Sequence, residues 1–171
     1  GLQVGMTKLK VMTLNLRGAG MGNRFKKLIV EFDKWRRKKG LGAMCAQEHN
    51  LHPQKESDLK RLATAKNMEL IIAFPPPAPD GVHRGGSLII VDTRQLTVRS
   101  TPVVEAGLVT AEVEWGGVTF NLASLYAPAK APERLRFLDG LAAKLTKYTI
   151  LGGDFNCVPD VTLDVFSRNP L

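Results

Sequence analysis

YTILGGDFNCVPD occupies residues 148–160 of this 171-residue sequence and joins a short strand signal to a group of polar side chains. The apolar run at residues 148–151 stops at two glycines, and Asp154 and Asn156 follow on alternate positions. Short apolar runs bounded by turn residues are typical of buried strands. Packing alone does not require an acid and an amide at the end of such a strand. The stretch therefore predicts a strand that ends in a functional site.

Three further predicted strands also end in polar side chains. VMTLN ends at Asn15, AMCAQE ends at Glu48, and NLASLY ends at Tyr126. Taken singly, each has an ordinary structural explanation, such as a turn former, a loop charge or a half-buried aromatic. In layered α/β proteins, however, ligands collect where strands end. The four strand ends together predict one rim that carries Asn15, Glu48, Tyr126, Asp154 and Asn156.

The first half of the chain predicts strands and helices in alternation. A helix is predicted from a cap at Asn23 to Gly40, because apolar residues between them recur at helical spacing. A strand over residues 41–46, a helix over 53–66 and a strand over 68–74 follow. Residues 75–86, PPPAPDGVHRGG, predict a loop, because the prolines and the Pro-Asp-Gly turn signal cannot continue a strand ladder.

The second half predicts a block of strands and one more helix. The strand-like runs cover residues 87–92, 96–104, 109–115 and 118–126, and their succession predicts an antiparallel meander. Pro132 then starts a helix with apolar residues predicted to face one way, namely Leu135, Leu138, Leu141 or Ala142, and Leu145. Helices mixed with an antiparallel block exclude an all-α bundle and favour an α/β domain in which helices cover sheets.

Length and hydropathy indicate one globular domain. Hydrophobic residues make up 44% of the chain, which is ordinary for a packed core. We predict a domain over residues 8–171 with residues 1–7 as an N-terminal extension. The longest aliphatic run, residues 88–91, is far shorter than the roughly 18 apolar residues of a membrane span. No membrane partner is therefore expected.

The charge balance favours a polyanionic partner. Lys and Arg number 24 against 16 acids, which gives a formal net charge of +8 and a pI near 9.7. DNA is the first partner to consider, although a solvated lysine surface would give the same balance. The predicted first helix ends in a basic run that includes Arg36 and Arg37. This run would either contact DNA or simply occupy a helix end where cations are favoured.

Cysteine usage favours a reducing compartment. Cys45 and Cys157 are the two cysteines of the sequence, and they do not form a paired metal-binding spacing. Reduced thiols are typical of intracellular proteins, so a nuclear or cytoplasmic location is expected and a structural zinc site is not.

The polar groups predicted at the rim suit one kind of chemistry. An asparagine, a glutamate and an Asp-x-Asn pair form an oxygen-rich site with two carboxylates. Such ligands suit Mg²⁺, which keeps several waters and completes its shell with phosphate oxygens; Mn²⁺ would also fit. A tyrosine hydroxyl and amide groups could then donate hydrogen bonds to a phosphoryl group. The residues thus outline a site for phosphate-ester hydrolysis.

Five motifs in order resemble a known superfamily. TLNLRG, the Gln47-Glu48 pair, HRGGSLIIV, SLYAP and GGDFNCVPD occur in the order and approximate spacing of the endonuclease/exonuclease/phosphatase, or DNase I-like, superfamily. The sequences of the segments QEHNL and GGDFNCVPD are most similar to those of the apurinic/apyrimidinic-like endonuclease domain of non-LTR retrotransposons. The resemblance runs from about residue 8 to about residue 164. It implies a four-layer α/β sandwich, with two packed sheets inside and helices outside.

The resemblance also implies roles for the rim residues. Glu48 would be the main metal ligand, with Asn15 beside it. Tyr126 would contact the scissile phosphate, Asp154 would orient or deprotonate the attacking water, and Asn156 would hydrogen-bond the phosphate. We expect Arg17, Arg84 and Lys130 to contact nucleic acid.

Two departures from the superfamily pattern affect the expected activity. Ala129 stands where many relatives have an asparagine after Tyr-x-Pro. Relatives also end in a Ser-Asp-His signature, whereas the histidines here are His49, His52 and His83, all early in the chain. We therefore expect an incomplete C-terminal part, an open sheet edge for a missing segment or partner, weak Mg²⁺ binding, and trace or no DNA nicking until Ser-Asp-His is restored.

Three functions consequently stay open at the level of sequence. The first is a Mg²⁺-dependent DNA endonuclease domain fragment of a retroelement polyprotein, which nicks a target strand. The second is a catalytically inactive remnant that binds nucleic acid, so enzyme activity itself is undecided. The third is a phosphatase of the same superfamily, because the core motifs recognise phosphate esters in general.

Overall fold

Two β-sheets form the centre of the fold. The computed structural model describes residues 8–18 and 24–157. The first sheet has the strand order β1-β2-β4-β3, with β1 parallel to β2 and the other pairs antiparallel. Its strands are β1 (Lys10–Asn15), β2 (Leu41–Gln47), β3 (Met68–Ala73) and β4 (Ser87–Asp92).

The second sheet is built on a long hairpin. Its strands are β5 (Thr97–Val98), β6 (Val103–Glu105), β7 (Leu108–Trp115), β8 (Val118–Tyr126) and β9 (Thr149–Asp154). β7 and β8 pair antiparallel, β9 lies parallel to β8, and β5 and β6 both pair with β7. The apolar side chains between the sheets form one core, with Cys45, Ile89 and Val91 from the first sheet and Val109 and Leu122 from the second.

Helices cover the outer face of each sheet. They are α1 (Arg24–Lys39), α2 (Glu56–Thr64) and α3 (Ala131–Leu141). Residues of α1 and α2 pack on the first sheet through a core that includes Phe32 and Leu59, and α3 packs on the second sheet through Leu141. This arrangement gives four layers and confirms the predicted α/β sandwich. None of the helices in the described ranges is long and apolar enough to cross a bilayer.

Four sequence predictions about elements were wrong in detail. The predicted strand over 96–104 is two short strands, because Pro102 lacks the N–H that would continue the ladder. The four runs do not form one meander, since β4 belongs to the first sheet. The predicted helix over 53–66 begins with a separate 3-10 turn at Pro53–Lys55. Leu135 is 61% exposed, and Leu145 lies beyond the end of α3, although its side chain packs on the core beside α3. The predicted Asn23 cap lies outside the described residues.

The basic end of α1 lies away from the predicted rim. Lys39 is followed directly by β2, and Lys10 Nζ donates to Lys39 O, so this helix end sits where β1 and β2 begin. The rim is at the opposite end of the same strands. Arg36 is buried and ion-paired with Asp33 and Asp92, so it is not available to DNA. These contacts support a structural interpretation of the basic run.

Candidate active site

The predicted rim residues meet where four strands end. β1 and β2 run parallel in one sheet, β8 and β9 run parallel in the other, and the pairs face each other across the core. Asn15 Nδ2 donates to Asp154 Oδ2 at 2.6 Å, which joins the two sheets. Side chains separated by 139 positions are therefore in direct contact.

A glycine allows the two sheets to approach this closely. A Cβ on Gly152 would lie 3.0 Å from Cys45 Cβ and 3.1 Å from Thr13 Oγ1, which is tighter than ordinary packing. Any side chain at this position would push β9 away from β1 and β2. The first glycine of the GGDFN motif therefore places Asp154 within reach of Asn15.

Asp154 is held by hydrogen bonds on both carboxylate oxygens. Besides the bond from Asn15, the backbone N–H of Asn156 donates to Oδ1 at 3.0 Å. Asn156 Nδ2 in turn donates to Ala127 O at 2.6 Å, and the Ala127 N–H donates to Asp154 O at 2.8 Å. The segment after β9 and the segment after β8 are thus locked together. The carboxylate retains further lone pairs that can accept a proton or a hydrogen bond.

Tyr126 lies close to the charges of the rim. Burial raises the pKa of its hydroxyl, and the negative charges of Glu48 and Asp154 raise it further, with partial opposition from the Asn156 side chain. These influences keep the hydroxyl protonated at neutral pH. Tyr126 is therefore available as a hydrogen-bond donor to an anion.

Glu48 provides a carboxylate that the fold does not use. Its backbone is fixed, because its N–H donates to Gly86 O and its carbonyl accepts from the Gly18 N–H, both at 2.8 Å. Its side chain is half-buried and has no hydrogen-bond or ion-pair partner within residues 8–18 and 24–157. Carboxylate oxygens without a protein partner can coordinate a hard cation such as Mg²⁺. The chemistry of this residue therefore fits a ligand for a cation.

Backbone strain concentrates at the same rim. Glu48, Asn50, Arg17 and Asn156 have φ values of 56°, 50°, 47° and 48°. Non-glycine residues in this left-handed region cost of order 1–3 kcal/mol each and often occur at functional sites. In the described ranges, Asn67 is the other non-glycine residue with positive φ. The strain thus coincides with the predicted site, and apart from the asparagines no local pattern indicates it.

A polar network fixes the strands beneath the rim. Gln47 is 1% exposed, and its Nε2 donates to Ser124 Oγ at 3.2 Å. Ser124 Oγ donates to Ala46 O and Ser87 Oγ donates to Ser124 O, both at 3.1 Å. These bonds cross from one sheet to the other, so they fix the relative position of the strand ends that carry the site.

His49 is a structural residue directly below the rim. Its Nδ1 accepts from the Leu51 N–H at 2.9 Å, so the proton is on Nε2, which donates to Ala73 O at 2.8 Å. A Cβ on Gly86, whose φ is +88°, would lie 2.2 Å from Nε2. The glycine is therefore required for this buried imidazole to fit under the loop that hydrogen-bonds to Glu48.

We expect His49 to make stability dependent on pH. Burial lowers the pKa of its ring from 6.5 to about 4. Protonation thus favours the unfolded chain, and the stabilisation present above pH 6.5 is lost as the pH falls towards 4. Between about pH 7 and about pH 5 the loss should be about 2 kcal/mol. Urea unfolding of wild type and His49→Gln at both pH values tests this, because the variant lacks the titration. An equal pH dependence in both proteins would contradict it.

The three predicted nucleic-acid contacts differ in their surroundings. The Arg17 N–H donates to Asn15 Oδ1 at 2.8 Å, so its backbone belongs to the rim. Arg84 forms a two-point ion pair with Asp80 at 2.6 and 3.0 Å, and this pair lowers the pKa of the aspartate to about 2. Lys130 is exposed, with Glu133 4.0 Å away. None of these contacts tests DNA binding, so all three assignments stay predictions.

Two cavities at the rim include a residue that sequence reasoning missed. One, of about 350 Å³, is lined by Asn15 and Asp154 among others, and a second, of about 510 Å³, is lined by Arg134, Asp154, Asn156 and Cys157. A larger cavity of about 900 Å³ lies along β3 beside α2 and contains none of these groups. Arg134 could have been found by including Phe137 in place of Leu135 on the inward face of α3, because positions 134, 137, 138 and 141 share one helix face.

The donor set fits a hard divalent cation. Glu48 offers a carboxylate without a partner in the described ranges, Asp154 offers a second carboxylate, and Asn15 offers an amide oxygen that also accepts from a backbone N–H. Residues 8–18 and 24–157 contain no cluster of three or more His, Cys, Asp or Glu side chains arranged for a metal. Two carboxylates suit Mg²⁺ better than zinc, because Mg²⁺ uses few protein ligands and keeps waters.

Comparison with known proteins gives one relative in sequence. Over 75 residues the chain is 39% identical to the Transposon TX1 uncharacterized 149 kDa protein of Xenopus laevis. The match covers 41% of this chain and 5% of that protein. No protein-family model matches the chain.

Solved structures match over most of the chain. The endonuclease domain of TRAS1, a telomere-specific non-LTR retrotransposon, is 19% identical with a TM-score of 0.60, covering 88% of this chain and 62% of that one. D. rerio TDP2 complexed with a single-strand DNA product is 17% identical with a TM-score of 0.62, and the match covers 91% of this chain and 63% of that one. The mannosyl-6-phosphatase Bt3783 of Bacteroides thetaiotaomicron is 15% identical with a TM-score of 0.58, and the match covers 87% of this chain and 66% of that one.

At these identities the matches show a shared fold and confirm the predicted architecture. The chain spans a little under two thirds of the length of each of these three solved structures.

Proposed function

We propose that this chain, which has the fold of the endonuclease/exonuclease/phosphatase proteins, carries the metal- and phosphate-binding groups of a Mg²⁺-dependent phosphodiesterase that acts on DNA. One arrangement supports the proposal most strongly: the paired strand ends bring the Glu48 carboxylate and the Tyr126 hydroxyl to the same rim as the fixed carboxylate of Asp154. Two carboxylates beside neutral donors suit a cation and a phosphate bound together.

Each rim residue has a role in this proposal. Glu48 and Asn15 would hold Mg²⁺, and Mn²⁺ would suit the same ligands. The bound cation would neutralise charge on the phosphate. Asp154, fixed on both oxygens, would orient the attacking water and accept its proton. Tyr126 and Asn156 would donate hydrogen bonds to the phosphoryl oxygens as negative charge develops on them.

Proton donation to the leaving group is the weak point of the site. His49 uses both ring nitrogens within the fold. His52 and His83 pack edge to face with ring centroids 4.8 Å apart, and neither lines the two cavities beside Asp154. None of the three histidines is therefore placed to act as a general acid in the part of the chain that the structure describes, and general acids typically contribute 10²–10⁴-fold to a rate. We therefore expect the 171 residues to cleave DNA slowly.

DNA is the favoured substrate for two reasons. The net charge of +8 attracts a polyanion. The sequence relative is a transposon protein, and the fold is shared with a retrotransposon endonuclease domain and with a protein solved with a DNA product. A phosphatase is the second candidate, because a mannosyl-6-phosphatase has the same fold.

Parallel assays of a diester and a monoester separate these candidates. With Mg²⁺ and an excess of the chain, we expect slow nicking of supercoiled plasmid and no release of phosphate from 4-nitrophenyl phosphate. Rapid phosphate release without nicking would favour the phosphatase. Binding of DNA with neither reaction would favour the inactive nucleic-acid-binding remnant.

A further inference from the structure

We propose that Arg134 binds a phosphate group of the substrate beside Asp154 and Asn156. This inference rests on the proposed function, because it concerns the same rim. It adds a cation to a set of side chains that otherwise contains two carboxylates and neutral donors.

The position of Arg134 on α3 directs it toward the site. Phe137, Leu138 and Leu141 pack against the second sheet, and Arg134 precedes them at the spacing that defines the same helix face. Arg134 is accordingly half-buried, whereas the neighbouring Arg136 is exposed. The buried face of α3 thus begins with an arginine that lines the cavity of about 510 Å³ shared with Asp154.

The guanidinium is positioned by the loop after β8 and has no carboxylate partner among the described residues. Nη1 donates to Ala129 O at 2.6 Å, which fixes the group against the loop after β8. No carboxylate lies within 4.0 Å of it in the part of the chain that the structure describes. A guanidinium has five N–H donors, so one bond to a carbonyl leaves donors for a phosphate. By contrast, Arg84 is committed to Asp80.

Electrostatics explain why the site needs this cation. Glu48 and Asp154 would repel a phosphodiester, and a divalent cation offsets that repulsion only while it is bound. An arginine in the same cavity attracts the phosphate permanently and in a geometry that suits two phosphate oxygens. Its contribution should therefore be largest when divalent cations are removed.

The experiment measures binding of a fluorescein-labelled DNA duplex by fluorescence anisotropy in EDTA over a series of KCl concentrations. For Arg134→Gln we expect the slope of log affinity against log salt to fall by about 0.9, the value for one lost phosphate contact. Arg136→Gln, the matched control on the same helix, should leave the slope unchanged. Arg134→Lys should restore it, because lysine keeps the charge.

A second measurement uses the unaltered chain and does not depend on how a variant folds. Bound DNA should protect Arg134 from phenylglyoxal, as mapped by mass spectrometry, while Arg136 stays reactive. Three results would overturn the inference and leave the proposed function intact. The salt-dependence slope could stay unchanged in Arg134→Gln, it could fall equally in Arg136→Gln, or bound DNA could fail to protect Arg134 from phenylglyoxal. If the unaltered chain bound no DNA at all, both would be overturned.

Discussion

Asp154→Asn will lower the rate at which this chain hydrolyses bis(4-nitrophenyl) phosphate in Mg²⁺ by about 10²–10⁴-fold. The asparagine can hold neither the charge nor the proton that the attacking water must give up. It also places an NH₂ group where Asp154 accepts from Asn15 Nδ2 or from the Asn156 N–H. The activated diester is the appropriate substrate, because 4-nitrophenolate leaves without needing a proton. Protonation of the leaving group then limits the rate less than it does with DNA.

Asp139→Asn is the matched control for this substitution. Asp139 is an exposed acid on α3 and lines neither cavity at the rim, so its replacement should leave the rate unchanged. Circular dichroism of both variants would show whether the fold persists. A rate for Asp154→Asn close to that of wild type would remove Asp154 from the proposed chemistry.

Arg36→Met will destabilise the fold by about 3–5 kcal/mol, because it leaves buried carboxylates without their partner. The Arg36 side chain is 2% exposed. It binds Asp33 and Asp92 and donates to the carbonyls of Lys66 and Asn67, so it ties α1 to the turn after α2 and to the end of β4. Urea unfolding at neutral pH measures the effect.

Arg37→Met provides the comparison one residue away. Arg37 also pairs with Asp33, at 2.9 Å, but its side chain is 67% exposed. Exposed pairs contribute about 0.2–1 kcal/mol, so this variant should unfold almost like wild type. If the two substitutions destabilised the protein equally, the buried ion pairs of Arg36 would contribute no more to stability than the exposed pair of Arg37.

Much of the architecture could be predicted because strand ends carry a local signal. Asn15, Glu48, Tyr126 and Asp154 each terminate an apolar run, and parallel pairing of β1 with β2 and of β8 with β9 brings those ends to one side. Which strands pair with each other, however, is determined by tertiary contacts. The meander prediction was wrong because nothing in the local sequence shows that β4 pairs with β2 and β3.

Other features depend on contacts that periodicity does not specify. The leucine pattern of α3 placed Leu135 inside, but Phe137 and Leu138 pack on the sheet, and that phase turns Arg134 toward the cavity. From the sequence alone, the basic residues at the end of α1 could not be divided into buried and exposed ones. They differ because Arg36 meets Asp92, which lies 56 positions away along the chain.

We propose that this rim cleaves phosphodiesters with a divalent cation held by Glu48. Single-turnover nicking of supercoiled plasmid tests it most directly, with the chain in excess and with Mg²⁺ or EDTA, for wild type and Glu48→Gln. Glutamine keeps the shape of the side chain but is a poor ligand for a hard cation. We predict slow nicking by wild type in Mg²⁺, and none in EDTA or with Glu48→Gln. Three results would contradict this proposal. Wild type could nick the plasmid in EDTA, Glu48→Gln could nick it as fast as wild type, or no nicking could occur although DNA binds.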